Sequence, residues 1–400
     1  MQNLTSSDFF GPEFKQNPYP YYAQLTANAP VYRFDMPSGA GWLITRYDLV
    51  LQVLKDDAHF TRDMRKVLPT RERMSLNMAN PMDSIMLNFD PPDHTRLRAL
   101  VSKGFTPRLI ETLRPRIQEL SDQFIEAVQA HGQMDLIEDF ALPLPIIVIS
   151  ELLGVPVEDR DKFRQWSSII ISASGNLQGS ETVNRAFSEF VAYLDSLFER
   201  RRTEPADDLL TALLQAEIDG EMLQTHELYA MVMLLLIAGH ETTVNLIGNG
   251  MLALMQHPDQ MKKLQDDPTL IKLAVEELLR YDGPVEWATP RWATEPITLE
   301  GQPIGRGDII FIILAAADHD PAQFTMPDEL DIARERSNHL AFGMGVHYCL
   351  GAPLARLEGQ IAINTLLARL PNIHLAAAPE TLTWRPGFIV RGLHTLPVMF

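Results

Sequence analysis

Phe342-Gly343-Met344-Gly345-Val346-His347-Tyr348-Cys349-Leu350-Gly351 carries the only cysteine of this 400-residue chain. Gly343 and Gly345 let the backbone turn tightly and approach a flat ligand closely. Residues 350–357 (LGAPLARL) read as a helix that begins immediately after the sulfur. Cys349 therefore faces a helix N-terminus, where exposed N–H groups and the positive end of the dipole favour thiolate over thiol. A thiolate on a rigid loop is a good ligand for iron.

The rest of the chain bounds what such a site serves. With 46% hydrophobic residues there is ample material for a large core, and no Gly/Ser tract, charge block or repeat marks a linker. The balance of 34 Lys+Arg against 52 Asp+Glu, a formal charge of −18, argues against nucleic acid, since phosphate neutralisation needs basic patches. A single cysteine forbids an internal disulfide and fits a reducing compartment. The N-terminal MQNLTSSDFFGPEFKQNPYPYY has neither the charged and apolar regions of a signal peptide nor an apolar membrane anchor. A cytoplasmic protein is expected.

Helical periodicity dominates, predicting helices over 18–28, 47–56, 92–103, 107–130, 139–152, 159–173, 183–201, 225–256, 258–265, 268–281 and 350–369. Strands are expected at 31–34 and 41–46 as an early hairpin, over 297–313 as a later one, and again after Asn372. Residues 61–88 lack a regular pattern, and their Met64, Met74, Met78, Met82 and Met86 suit a pocket that accepts variable apolar shapes.

The segment 225–256 is apolar on nearly every side and must run through the interior, yet it contains Gly239, Glu241, Thr242 and Thr243. Glycine weakens a helix, and a mid-helix threonine bonds back to the carbonyl four residues earlier. Together they open a groove where an acid and an alcohol move protons. A zinc-protease reading of His240-Glu241 fails, because the second histidine would have to stand where Val244 is. Gly343-Met344-Gly345 lacks the third glycine of a dinucleotide fingerprint, and Arg306-Gly307-Asp308 reads as a strand turn.

Phe342-x-x-Gly345-x-His347-x-Cys349-x-Gly351 resembles the haem-binding loop of the cytochrome P-450 family. Ala238-Gly239-His240-Glu241-Thr242-Thr243 resembles its oxygen-activation motif and Glu277-Leu278-Leu279-Arg280 its Glu-x-x-Arg motif. The likeness extends from Asn17-Pro18-Tyr19-Pro20 to Val390-Arg391-Gly392-Leu393, in the order of a soluble bacterial haem-thiolate monooxygenase. It implies one haem domain over 1–400, mainly α with a small β region. Haem b (iron protoporphyrin IX) would lie between the long central helix and the cysteine-side helix.

The resemblance also assigns roles. Cys349 becomes the axial iron ligand, with Phe342, Ala238 and Gly239 against the cofactor. His94, Arg98, Arg291 and His347 match positions that contact the haem propionates, whose burial demands cationic or hydrogen-bonding partners. Glu241 and Thr242 become proton-delivery residues. Glu277 and Arg280 become a buried pair that pins the haem loop. The third partner in the family is often an arginine where this chain has Glu329, which leaves Arg334 or Arg336 to substitute. Pocket positions fall on Met86, Leu87, Ile170, Met233, Leu234, Ala238, Val285, Ala288, Thr289, Ile389 and Val390.

The implied reaction takes O2, two electrons and two protons and inserts one oxygen atom into a C–H bond or alkene of a hydrophobic molecule. Since one haem domain uses up the length, electrons would come from a separate ferredoxin and ferredoxin reductase, with the protein a monomer. An acidic ferredoxin would need a basic patch near the cysteine, for which Arg96, Arg98 and Arg356 are the candidates. A peroxide-driven peroxygenase and a haem sensor are the alternatives. The intact Glu241-Thr242 pair speaks against both.

Overall fold

A computed structural model of the chain describes residues 11–36, 39–68, 84–172, 181–218, 220–335 and 337–400. These form two compact units. The larger takes 1–73, 116–141 and 242–400, and the smaller 74–115 and 142–241.

The larger unit is built on a five-stranded sheet of β1 (Val31–Met36), β2 (Gly39–Ile44), β3 (Phe60–Thr61), β4 (Arg291–Ala293) and β5 (Ile309–Ile312), in the order β1-β2-β5-β4-β3. Side chains alternate across a strand, and here both faces are covered. Trp42, Ile44, Ile310 and Ile312 pack on one side with Val50, Val53, Leu54 and Phe60. Leu43, Phe311 and Ile313 pack on the other with Phe14, Tyr22, Phe34 and Trp287. The expected early hairpin is present, pairing Val31 with Ile44.

The expectation of a single hairpin over 297–313 needs correction. Ile297–Leu299 pairs with Gln302–Ile304, but β5 leaves them and runs parallel to β2, with Ile310 opposite Trp42. The turn at Gly307 (φ +86°) redirects the chain, and the Asp308 carboxylate fastens it by accepting bonds from Gly305 N and Trp42 Nε1. Four consecutive apolar residues suit a strand buried on both faces, a preference that does not name its partner.

The C-terminal β expectation holds for His374–Leu375 and Pro397–Met399, which form a small sheet with Gln133–Asp135. The helix expected over 107–130 is two helices, Pro107–Thr112 and Arg114–Gln129, with Pro115 in the first turn of the second. That over 139–152 is a π-turn at Ile137–Ala141 followed by Pro143–Leu152.

Four helices bear on the site: α1 (Asp93–Gly104), α2 (Thr225–Gln256), α3 (Ile271–Asp282) and α4 (Ala352–Arg369). α2 passes from the smaller unit into the larger between Glu241 and Thr242. It is long and apolar enough to cross a membrane, but 72% of its most apolar window is buried within the protein. In the larger unit it meets its neighbours through glycine. A β-carbon on Gly250 would stand 3.1 Å from Leu278 of α3, and one on Gly359 of α4 would stand 3.0 Å from Leu246. In the smaller unit α1 is seated on Leu209–Gln215, Gly104 meeting Leu209 so closely that a β-carbon would stand 2.6 Å from it.

Candidate active site

The cysteine loop is shaped by backbone that few residues other than glycine adopt. Gly343 and Gly345 have φ of +67° and +75°. Gly345 also presses against the 54–55 backbone, where a β-carbon would lie 2.5 Å from the Leu54 carbonyl oxygen. Beside Gly343 there is open space. Cys349 N donates to the Phe342 carbonyl at 3.0 Å, closing the loop onto its own start. The cysteine is half-buried and in no disulfide. α4 begins at Ala352 rather than directly after the sulfur, with Gly351 as its cap, and a side chain on Gly351 would stand 3.9 Å from Sγ. The sulfur thus lies beside the helix N-terminus, as the sequence implied.

Two ion-pair clusters hold this loop's surroundings. Glu277 and Arg280 of α3 are completely buried and joined by a bidentate pair at 2.9 and 2.8 Å. Arg280 also donates to the carbonyls of Asp318, Pro327 and Glu329. Arg334 is the third member. Its Nε donates to both Glu277 oxygens at 3.0 and 2.9 Å, and its Nη atoms donate to the carbonyls of Thr325, Met326 and Glu329. Arg336 lies outside the described residues. An uncompensated charge at this depth is very costly, so the carbonyls and the pair stand or fall together.

The second cluster was not foreseen. Glu276, adjacent in sequence, receives Arg356 of α4 bidentately at 2.6 and 2.8 Å, and His339 at 3.0 Å. Arg356 also donates to Tyr348 Oη and lies 4.5 Å over the Phe342 ring. Burial works against the charge on Glu276, but the bonds from His339 and Arg356 together outweigh it and bring the carboxyl down to about 2. Nearby, Asp318 accepts from Leu340 N, and its own burial holds its carboxyl up to about 6. Two of the arginines expected to form a basic patch are ion-paired. Arg356 is fixed to Glu276, and Arg96 of α1 is fixed to Glu227.

α2 shows the other half of the motif set. From Ala230 to Leu254 every residue is buried except Ile237, Gly239, Glu241 and Thr242, which are half-buried, and Ala238, which is exposed. The helix is unbroken α across this window, so the opening lies in its side-chain cover. Gly239 has only Ile149 near it, at ordinary van der Waals distance. His240 is buried and bonds back to the Leu236 carbonyl at 2.7 Å, away from any metal role. Among the described residues no cluster of His, Cys, Asp and Glu could hold a metal ion.

On the larger-unit part of α2, Thr243 comes close to a carboxyl that the sequence reading missed. Glu358 of α4 is 1% exposed, and neither of its oxygens has a full hydrogen bond. Burial drives this carboxyl up to about 8, against a smaller easing by the nearby Thr243 hydroxyl. It is protonated at neutral pH. Its signal was present in the sequence as the sole charge between Leu357 and Ala368, but no partner could be named from spacing.

The remaining candidates divide between the units. His94 is buried in the first turn of α1, one turn from half-buried Arg98. In the larger unit Arg291 is buried, its Nη1 donating to the Thr289 carbonyl at 3.2 Å, and His347 ends a short 3₁₀ turn before the cysteine. Met86 and Leu234 are buried and Met233 fully so, while Leu87, Val285, Ala288, Thr289, Ile389 and Val390 are partly open. Met64 is exposed. Met74, Met78 and Met82, and the side chain of Ile170, lie outside the described residues.

The loop suits a flat ligand, with a cysteine in no disulfide beside a helix N-terminus and an open surface at Gly343. Comparison with known proteins decides the family. The profile of Cytochrome P450 matches residues 9–372. The chain belongs to the cytochrome P450 family. It is 46% identical over 400 residues to a cytochrome P450 of Bacillus subtilis (strain 168), covering 99% of this chain and 97% of that one. It is 47% identical over 392 residues to the vitamin D(3) 25-hydroxylase of Pseudonocardia autotrophica, covering 98% and 96%. Among solved structures, the cytochrome P450 PksS of the Bacillus subtilis 168 bacillaene polyketide synthase superposes with a TM-score of 0.92 at 44% identity, covering 98% of each chain. As a P450 the chain is a haem-dependent monooxygenase that takes a hydrophobic substrate, O2 and electrons from redox partners.

Proposed function

We propose that this P450 hydroxylates or epoxidises an apolar molecule of polyketide or sterol size. Electrons would come from a separate ferredoxin and ferredoxin reductase in the cytoplasm, and residues 1–400 would form one haem domain acting as a monomer. The observation that carries the reading is Cys349, half-buried and in no disulfide beside the α4 N-terminus, in a loop whose supports are ion-paired. Cys349 would hold the iron. Phe342, Ala238 and Gly239 would lie against the macrocycle, and His94, Arg98, Arg291 and His347 would receive the propionates. Haem, when bound, supplies the oxygen chemistry.

The protein's part is positional and protic. Glu241 and Thr242 stand in the exposed window of α2 and would move protons there, with protonated Glu358 close to Thr243 as a buried reserve. Val285, Ala288, Thr289, Ile389 and Val390, with Met86, Leu87, Ile170, Met233 and Leu234, would line the substrate pocket. Two relatives favour large apolar substrates, one by its name as a vitamin D(3) hydroxylase and one by its place in a polyketide synthase.

The test is spectroscopic. The ferrous–CO complex should show the red-shifted Soret band of thiolate ligation, and Cys349→Ser should abolish it together with NAD(P)H-driven product formation. A wild-type band at the position of histidine-ligated haem would end the proposal.

A further inference from the structure

Behind the proposed pocket wall lies a buried polar lock that no part of the reaction uses. Lys15, on the first described helix, is 8% exposed and bonds to Glu286, which is 1% exposed. Lys15 Nζ donates also to the Val390 carbonyl at 3.0 Å. The other Glu286 oxygen accepts from Tyr22 Oη at 3.1 Å, and Tyr22 Oη accepts from Trp287 Nε1 at 2.8 Å. One carboxylate thus ties together the N-terminal helices and two separate stretches of the wall.

The backbone around it is equally committed. Glu286 N donates to the Ile389 carbonyl at 2.9 Å, and Val285 forms a bridge with Val390. Arg391 N donates to the Pro284 carbonyl at 3.0 Å. The Arg391 side chain donates to Asp282 Oδ1 and the Lys15 carbonyl, both at 2.6 Å, and lies 3.5 Å over the Trp384 ring. Asn249 of α2 holds the Asp282 and Arg391 carbonyls. Glu286 and Trp287 point inward and are buried, while Val285, Ala288, Ile389 and Val390 stay partly open. The polar groups of this bridged stretch are locked, while Val285, Ala288, Ile389 and Val390 keep part of their surface open.

We infer that Glu286, held by Lys15, is a positioning residue that fixes 285–289 against 389–390 and so sets which substrates, and which substrate carbon, the pocket accepts. The inference rests on the proposal that these residues line the pocket. Buried charge pairs are exchangeable for apolar residues at little cost to stability, so a charge here is spent on geometry. A displacement of the wall by about 1 Å is enough to change reactivity about a hundredfold.

Two azoles that bind haem iron through nitrogen read the wall directly. Imidazole is too small to reach it, whereas 4-phenylimidazole carries a ring that must pack on it. In Glu286→Gln and Lys15→Met, 4-phenylimidazole affinity should fall about tenfold while imidazole affinity stays within about twofold, the ferrous–CO band being unchanged. Lys15→Arg should restore most of the loss. Equal shifts for both azoles, or none for either, would overturn the inference, as would loss of haem from all three variants, which would make the lock a folding element only. Ala288→Phe separates this result from the pocket assignment. If that wall variant leaves 4-phenylimidazole binding untouched, the pocket proposal fails. If it weakens binding while the lock variants do not, the lock inference alone fails.

Discussion

The cysteine loop and the central window of α2 are opposites in how they treat polar groups. Around the loop the buried and half-buried carboxylates Glu277 and Glu276 are answered by cations. Glu277 is shared by Arg280 and Arg334, whose remaining N–H groups go to backbone carbonyls, and Glu276 by His339 and Arg356, which also bonds Tyr348 Oη. Along α2 Glu241 and Thr242 are half-buried, and on α4 Glu358 is buried without a full partner. Saturated hydrogen bonding holds a loop still. The difference teaches that a carboxyl's state here follows from what surrounds it and not from its type, since Glu276 is brought down to about 2 by its partners while Glu358 is held up to about 8 by burial.

The sharpest way to break the comparison is to remove charge from the saturated side. Glu277→Ala should strand Arg280 and Arg334 at a cost of about 3–5 kcal/mol, read as poor haem incorporation and a large fall in melting temperature. Normal haem content would make the loop's support redundant.

The opposite sign is expected at Glu358. Its carboxyl titrates near 8 when folded and near 4.3 when unfolded, so folding takes up a proton between those values and stability falls as pH rises from about 4 to 8. Glu358→Gln should stabilise the protein by about 3 kcal/mol at pH 7 and hardly at all near pH 4, measured by denaturant midpoints across that range. A flat difference would mean that Glu358 titrates normally.

Thr242→Ala should leave folding intact and change the outcome of turnover. Substrate binding and O2 consumption persist, while product per NAD(P)H falls and hydrogen peroxide rises, toward the low end of the about 10²–10⁴-fold worth of general acid–base groups. Unchanged coupling in Thr242→Ala and Glu241→Gln would return the reading to a peroxygenase or sensor.

Glu276→Gln is the mildest test. Its carboxyl lies at about 2 in the fold, below its unfolded value, so its contribution is present above about pH 4 and disappears as pH falls toward 2. The variant should lose about 1–2 kcal/mol at pH 7 after solvent screening, and the loss should vanish in acid.

Much of this was legible in the sequence because it depends on near neighbours. The apolar run from Thr225 to Gln256 fixes a buried helix whatever surrounds it, Gly343 and Gly345 announce a left-handed loop, and Glu277 and Arg280 share a helix face by spacing alone. Even so, the two halves of 107–130 were read as one helix, because a proline in a first turn reads much like one inside a helix.

What only the tertiary structure decided are relations between distant segments. The run 309–312 has the composition of a buried strand, but that it leaves its expected hairpin to pair parallel with β2 depends on the turn at Gly307 and the Asp308 anchor. That Arg334 reaches Glu277 together with the carbonyls of 325, 326 and 329 could not be read from spacing. Glu276, Glu286 and Glu358 look alike as letters. One is ionised by its ion pair, one locks a wall and one is kept neutral by burial, because the free energy of a charge is set by what the fold places around it and not by its neighbours in the chain.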